Sequence, residues 1–242
     1  MRHETKLVIT LWGGMLGSML LIGLIFQLPR LTQLPSSLTT GVEELFFLAI
    51  ALILNRDWLR QTLKFGVSAT WRRQIRPIIP TLIVAALIGL YTLATAQQLT
   101  NTLTLLFVAI LISLFEETFF RGMLFQASQS TLGVGRAAVF TSILFSLTHL
   151  INLGHQTLSL TLLQLGFTFV LGLLLCLITA QTTSLLWPLL IHTVNDFFSM
   201  MEPPINLPGI TTTSFQIIEI AVIILLILSL IHISEPTRHA QI

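Results

Sequence analysis

Long apolar runs separated by short polar breaks dominate the chain, and their lengths set the fold class before any single residue is weighed. Runs near the roughly 20 residues needed to cross hydrocarbon occur at 8–28, 38–55, 78–96, 103–125, 137–153, 158–180, 185–200 and 215–231. They predict an all-α polytopic membrane bundle of about eight transmembrane helices, the second and seventh short or tilted. No internal repeat divides the chain.

Composition agrees: 54% of the 242 residues are hydrophobic and 9% are charged, outside the range of soluble domains. A net charge of +2 gives no argument for a nucleic-acid partner, and the lipid bilayer is the expected surrounding. Arg56, Arg60, Lys64, Arg72, Arg73 and Arg76 crowd one linker, with Trp58 and Trp71 placed as interfacial anchors. Positive charge favours the cytoplasmic side. Alternation from that linker puts Arg2, Lys6 and the 121–136 connection inside, with Arg30 and the Pro-rich 202–209 connection outside. The expectation is an integral protein of a prokaryotic plasma membrane with a cytoplasmic N-terminus. The first apolar run has no small-residue cleavage site and is expected to stay as an anchor. Cys176, the single cysteine, lies in an apolar run and is expected to pack.

The string Leu228-Ser-Leu-Ile-His-Ile-Ser-Glu-Pro-Thr-Arg238 resembles, residue for residue, the translation of a transposase adapter used in sequencing libraries. Residues 228–242 are therefore expected to be adapter read-through rather than native chain, and His232 and His239 carry no functional weight. Adapter-identical codons in the encoding DNA are the expected sign.

Polar residues inside the apolar runs carry the chemistry. A charge at bilayer depth costs about 2.5–3.5 kcal/mol on insertion scales, so its retention points to function. Glu116 and Glu117 adjoin within 103–125. Helical neighbours diverge by about 100°, so the two cannot address one reacting atom. Glu117 and Arg121 are four apart with the acid first, the favourable order for an ion pair. Glu116 is left to face a cavity as a candidate general base. Phe145 and His149 share a face of the next helix, and His192, Asn195 and Asp196 share a face of the seventh run. Alone, His149 reads equally as a hydrogen-bonded packing residue or as a ligand or base; the set on the seventh run is the stronger signal, with interhelical hydrogen bonding as its alternative. Together Glu116, His149, His192 and Asp196 can either bind one divalent metal, zinc first among them, or activate water without a metal.

Glu-Glu-x-x-x-Arg, then Phe-x-x-x-His, then His-x-x-x-Asn/Asp on successive membrane helices resembles the CPBP family, the CAAX proteases and bacteriocin-processing enzymes also called Abi. The motifs span about 103–200, and the eight-helix layout extends the likeness to a single domain over 1–227. The resemblance implies an intramembrane endopeptidase, grouped with the metalloproteases, that hydrolyses a membrane-associated peptide or protein, prenylated proteins among its substrates. It places the catalytic glutamate on Glu116, the second glutamate and arginine on Glu117 and Arg121, and the histidines on His149 and His192. The final polar position falls on Asp196, where asparagine is common, so either Asn195 or Asp196 could line the site. Phe145 would support it.

Other patterns carry less. No His-Glu-x-x-His is present. Gly66-Val-Ser-Ala69 lies in the basic linker, away from any membrane histidine. Glu43-Glu44 is expected near the outer surface, opening a helix and favoured by its dipole. Asn152 and His155 are expected as interfacial polar residues, and Gly13, Gly14 and Gly17 as a packing face. The rival functions are a non-catalytic immunity or scaffold protein of the same fold, and a small transporter, which would need a repeat or a discontinuous helix pair.

Overall fold

A computed structural model describes residues 3–26, 34–67, 70–94, 99–201 and 212–234. Arg2, Arg30, the 202–209 connection, residues 68–69 and residues 235–242, with the expectations attached to them, lie outside the described residues.

Eight helical rods follow one another. They are α1 (His3–Phe26), α2 (Ser36–Leu54, prolonged by a π-turn Asn55–Leu59) and α3 (Trp71–Ile75, a 3-10 turn Arg76–Ile78, then Ile79–Ala94). Next, α4 runs as Leu99–Glu116, a π-helical stretch Glu117–Phe125 and Gln126–Leu132. After it come α5 (Val134–Thr148 and a 3-10 stretch His149–Gly154), α6 (Leu158–Thr182), α7 (Leu186–Met201) and α8 (Thr212–Ser234). The all-α polytopic expectation holds. Among the described residues, six rods have the length and composition to cross a membrane alone.

With 16 residues, α7 reaches about 24 Å at 1.5 Å per residue, short of a hydrocarbon core of about 30 Å. By contrast α2 is not short: Ser36–Leu59 covers 24 residues. Its π-turn adds a final turn beyond the apolar run, ending where Arg60 turns left-handed and its N–H reaches the Asn55 carbonyl at 2.6 Å.

The centre of the bundle is α4 to α7. On one flank, α1 presents Val8, Leu11 and Met15 at helical spacing to a core that includes Phe47, Phe115, Phe119 and Phe120. Trp12 Nε1 donates to Thr148 Oγ1 at 3.0 Å, tying α1 to α5. Gly13, Gly14 and Gly17 have nothing within 4 Å of a built Cβ, so they are not the packing face; bulky side chains fill that role. On the other flank, α3 and α8 pack through Ile78 and through Ile223 and Leu230 onto Leu171, Leu174, Leu175 and Ile178 of α6 and Ile191 of α7.

Local signals place the central rods. Gly133, at φ +74, lets α4 turn at once into α5. Thr157 caps α6 by accepting from the Leu160 N–H at 3.4 Å. The basic linker is fixed to the core where the Leu185 N–H meets the Lys64 carbonyl at 2.7 Å. Trp58 is 60% exposed, and Arg72 lies 5.5 Å from the Trp71 ring centroid, as suits an interfacial band. Cys176 is buried beside Thr141 at 3.6 Å, a packing residue as expected.

Candidate active site

The doubled acid stands where α4 changes winding. Glu116 ends the α-helical part and Glu117 opens the π-helical stretch, a wider ladder that recurs at functional sites. Every residue from Glu117 to Phe125 is buried.

Glu117 Oε1 accepts from Arg121 Nη1 at 2.8 Å, with both side chains essentially sealed from solvent. The pair expected from the i, i+4 spacing is therefore formed. The same oxygen also meets His192 Nδ1 at 2.7 Å, which the spacing alone did not foretell. A carboxylate can only accept, so Nδ1 carries a proton. The opposite ring nitrogen, Nε2, lies 3.4 Å from Glu116 Oε2 and 3.5 Å from Asp196 Oδ1. The two adjacent glutamates thus do diverge, yet they hold opposite edges of one imidazole.

His149 opens the 3-10 stretch of α5, directly after the α-helical part ends at Thr148. Its Nδ1 is 3.0 Å from the Phe145 carbonyl oxygen, again an acceptor only, so Nδ1 donates and Nε2 keeps its lone pair. Phe145 binds the pieces together. Its ring packs edge-on against His149 and His192, at 5.1 and 5.8 Å between centroids, and the Arg121 guanidinium carbon lies 4.3 Å from its centre. α6 comes close enough for this packing at Gly172, where a Cβ would sit 3.0 Å from Ser142 and 3.3 Å from Phe145 Cδ1.

Glu116, His149, His192, Asn195 and Asp196 all line one cavity of about 470 Å³, alongside Phe145. Both Asn195 and Asp196 border it. Asp196 is the one fixed at the site, accepting from Ser113 Oγ at 3.0 Å. The cavity lies toward the end of the bundle that carries Gln156, Ser199 and Met200.

Several neighbours escaped the motif reading. Ser113 lies one turn before Glu116 but has no distinctive spacing. Gln156 and Gln164 line the cavity and bond each other at 2.6 Å, and Asn152 donates to the same Gln164 oxygen at 2.9 Å. Asn152 is therefore part of the cavity wall's polar brace, not merely interfacial. Glu44 corrects an expectation: it falls outside the first turn of α2, where no acid stands. It is largely buried, with Oε2 unpartnered and close enough to Glu116 and Asp196 to feel their charge. The reason is that α2 begins at Ser36, and the Glu44 face packs on α4, with Gly41 against Leu111 and Phe47 against Phe115. Glu219 of α8 also lines the cavity; a lone acid in an apolar run was the signal that could have marked it.

Metal binding asks for three or more ligands around a common point. Among the described residues no group of three His, Cys, Asp or Glu side chains is gathered in that way. His192 and His149 each commit Nδ1, to Glu117 and to a backbone carbonyl, which fixes the rings and leaves each Nε2 available. The donor set as arranged does not form a metal cage, and acid–base chemistry is what these side chains offer.

No curated protein and no solved structure matches the chain. Residues 97–198 match the family model described as type II CAAX prenyl endopeptidase Rce1-like. That stretch contains Glu116, Glu117, Arg121, Phe145, His149, His192, Asn195 and Asp196, and leaves Glu44 and Glu219 outside. Over this central stretch, the chain is similar to the Rce1-like type II CAAX prenyl endopeptidases, a membrane-protein family of the CAAX-protease kind.

Proposed function

We propose that the protein is an intramembrane endopeptidase that cleaves a peptide or membrane-anchored protein by direct activation of water. The observation that carries this reading is the convergence of Glu116, His149, His192 and Asp196, from three helices, on one cavity. Water held between Glu116 and His149 Nε2 loses a proton to one of them as its oxygen bonds to the scissile carbonyl carbon. His192, protonated on both nitrogens, donates from Nδ1 to Glu117 and from Nε2 into the cavity, where with the Asn195 amide it offsets the oxyanion. Breaking the carbon–nitrogen bond then returns the captured proton to the leaving amine. Arg121 and Phe145 position these groups without touching substrate, and Asp196 orients the His192 edge. A divalent metal, if one were recruited, would polarise the carbonyl; the residues above need none. The peptide bond belongs to a CAAX-type protein or a leader peptide, in a prokaryotic plasma membrane with the N-terminus cytoplasmic.

The test uses the full chain, reconstituted in lipid and incubated with a prenylated CaaX peptide and a leader-peptide library. Glu116→Ala is expected to lower turnover by more than about a thousandfold, on the scale of losing a unit of the catalytic constellation. Identical product profiles from wild type and variant would overturn proteolysis and favour a non-catalytic immunity or scaffold protein. Stoichiometric metal in the active sample, lost with activity in His192→Ala, would overturn the metal-free route.

A further inference from the structure

Among the carboxylates that line the cavity, Glu219 is left unused by the proposed mechanism. It stands about 10 Å along α8 from Thr212, half-buried, with no charged or hydrogen-bonding neighbour acting on it among the described residues. A charge retained in an apolar helix without a partner is costly. Its position is informative. Glu219, Asn195, Phe167 and Leu171 line both the site cavity and a second, mostly apolar cavity of about 660 Å³ between α3, α6, α7 and α8. Glu219 therefore stands at the junction of a reactive chamber and an apolar channel.

The charge of the chamber decides what can meet it. Glu116, Asp196 and Glu219 line the chamber, and no lysine or arginine does among the described residues. Arg121 lies behind it, already held by Glu117. A free peptide carboxylate entering there meets only like charge apart from the histidines. An ammonium or guanidinium meets an unpaired carboxylate in a partly desolvated setting, where a charge-assisted hydrogen bond is strongest.

We propose that Glu219 is a specificity-determining residue that binds a lysine or arginine of the substrate beside the scissile bond, while an adjoining apolar segment of that substrate occupies the channel. The inference names the substrate class for the proteolytic reading and rests on it. It separates an internal, basic-flanked membrane peptide from a short C-terminal tail whose carboxylate would have to enter the chamber.

The experiment uses the full chain in lipid nanodiscs and two apolar fluorogenic peptides that differ only in lysine or norleucine next to the cleaved bond. Wild type is expected to cleave the lysine peptide with kcat/KM about tenfold higher, the scale of one charge-assisted bond. Glu219→Gln should remove that advantage while leaving the norleucine peptide's kcat/KM unchanged. Glu219→Lys should turn the preference toward a glutamate peptide. Equal rates on both peptides in wild type, or equal losses on both in Glu219→Gln, would overturn the proposal. Binding of the same peptides to Glu116→Ala separates the two readings. A tenfold tighter Kd for lysine, lost in Glu116→Ala/Glu219→Gln, supports Glu219 recognition even if no cleavage is ever seen. Charge-blind binding overturns it even if cleavage is robust.

Discussion

The helices at 76–94 and 100–132 are equally apolar along their most apolar 18 residues, yet half of that stretch is buried inside the protein in the second and only 17% in the first. Hydropathy reports that a segment can leave water; it does not report whether lipid or protein receives it. The outer helix turns Ile83, Leu87 and Leu90 outward, each more than half exposed. The inner one seals Glu117, Arg121 and a run of phenylalanines. Packing between membrane helices depends on close fit and on polar contacts rather than on hydrophobic drive, so the two should respond to substitution very differently.

The widest contrast is expected at the buried pair. Glu117→Ala strands Arg121 and frees His192, and should lower stability by about 3–5 kcal/mol, the usual scale for breaking a buried ion pair. Unfolding in mixed micelles would measure it, and a loss below about 1 kcal/mol would mean that lipid headgroups or water shelter the arginine. A smaller effect is expected at Gly172→Leu. The new side chain must displace Ser142 and Phe145, at a cost of about 1–3 kcal/mol, and since Phe145 seats both histidines, cleavage should fall along with stability. Retained cleavage at full rate would show that Phe145 is dispensable to the site. Least affected should be Gly14→Leu on α1, where nothing approaches within 4 Å. Its change should lie within about 0.5 kcal/mol, and a larger loss would reveal a neighbour on that face.

The sequence made the helical bundle readable because most apolar runs are long and each is bounded by polar residues, charge or proline. The pairing of Glu117 with Arg121 was readable for the same local reason: four residues on one helix fix a face. What escaped was everything set by packing between helices. Nothing in the spacing of Glu117 and His192 announces their contact, which depends on how α4 and α7 cross. The depth of Glu44 was hidden by the start of α2, a boundary that apolar runs place poorly. The supposed glycine face of α1 failed for a related reason: small residues permit close approach but do not compel it.

The oxygen shared by Arg121 and His192 has a consequence for how the protein is made. Arg121 is one turn from Glu117, so that charge is neutralised as soon as α4 winds. His192 lies 75 residues further along the chain and arrives only with α7. During synthesis Glu117 is therefore matched to a base from the moment α4 winds, and the imidazole that shares its oxygen is added later. A ribosome-bound chain interrupted before α7 would hold Glu116 and His149 but neither His192 nor Asp196, half of the four side chains that converge on the cavity.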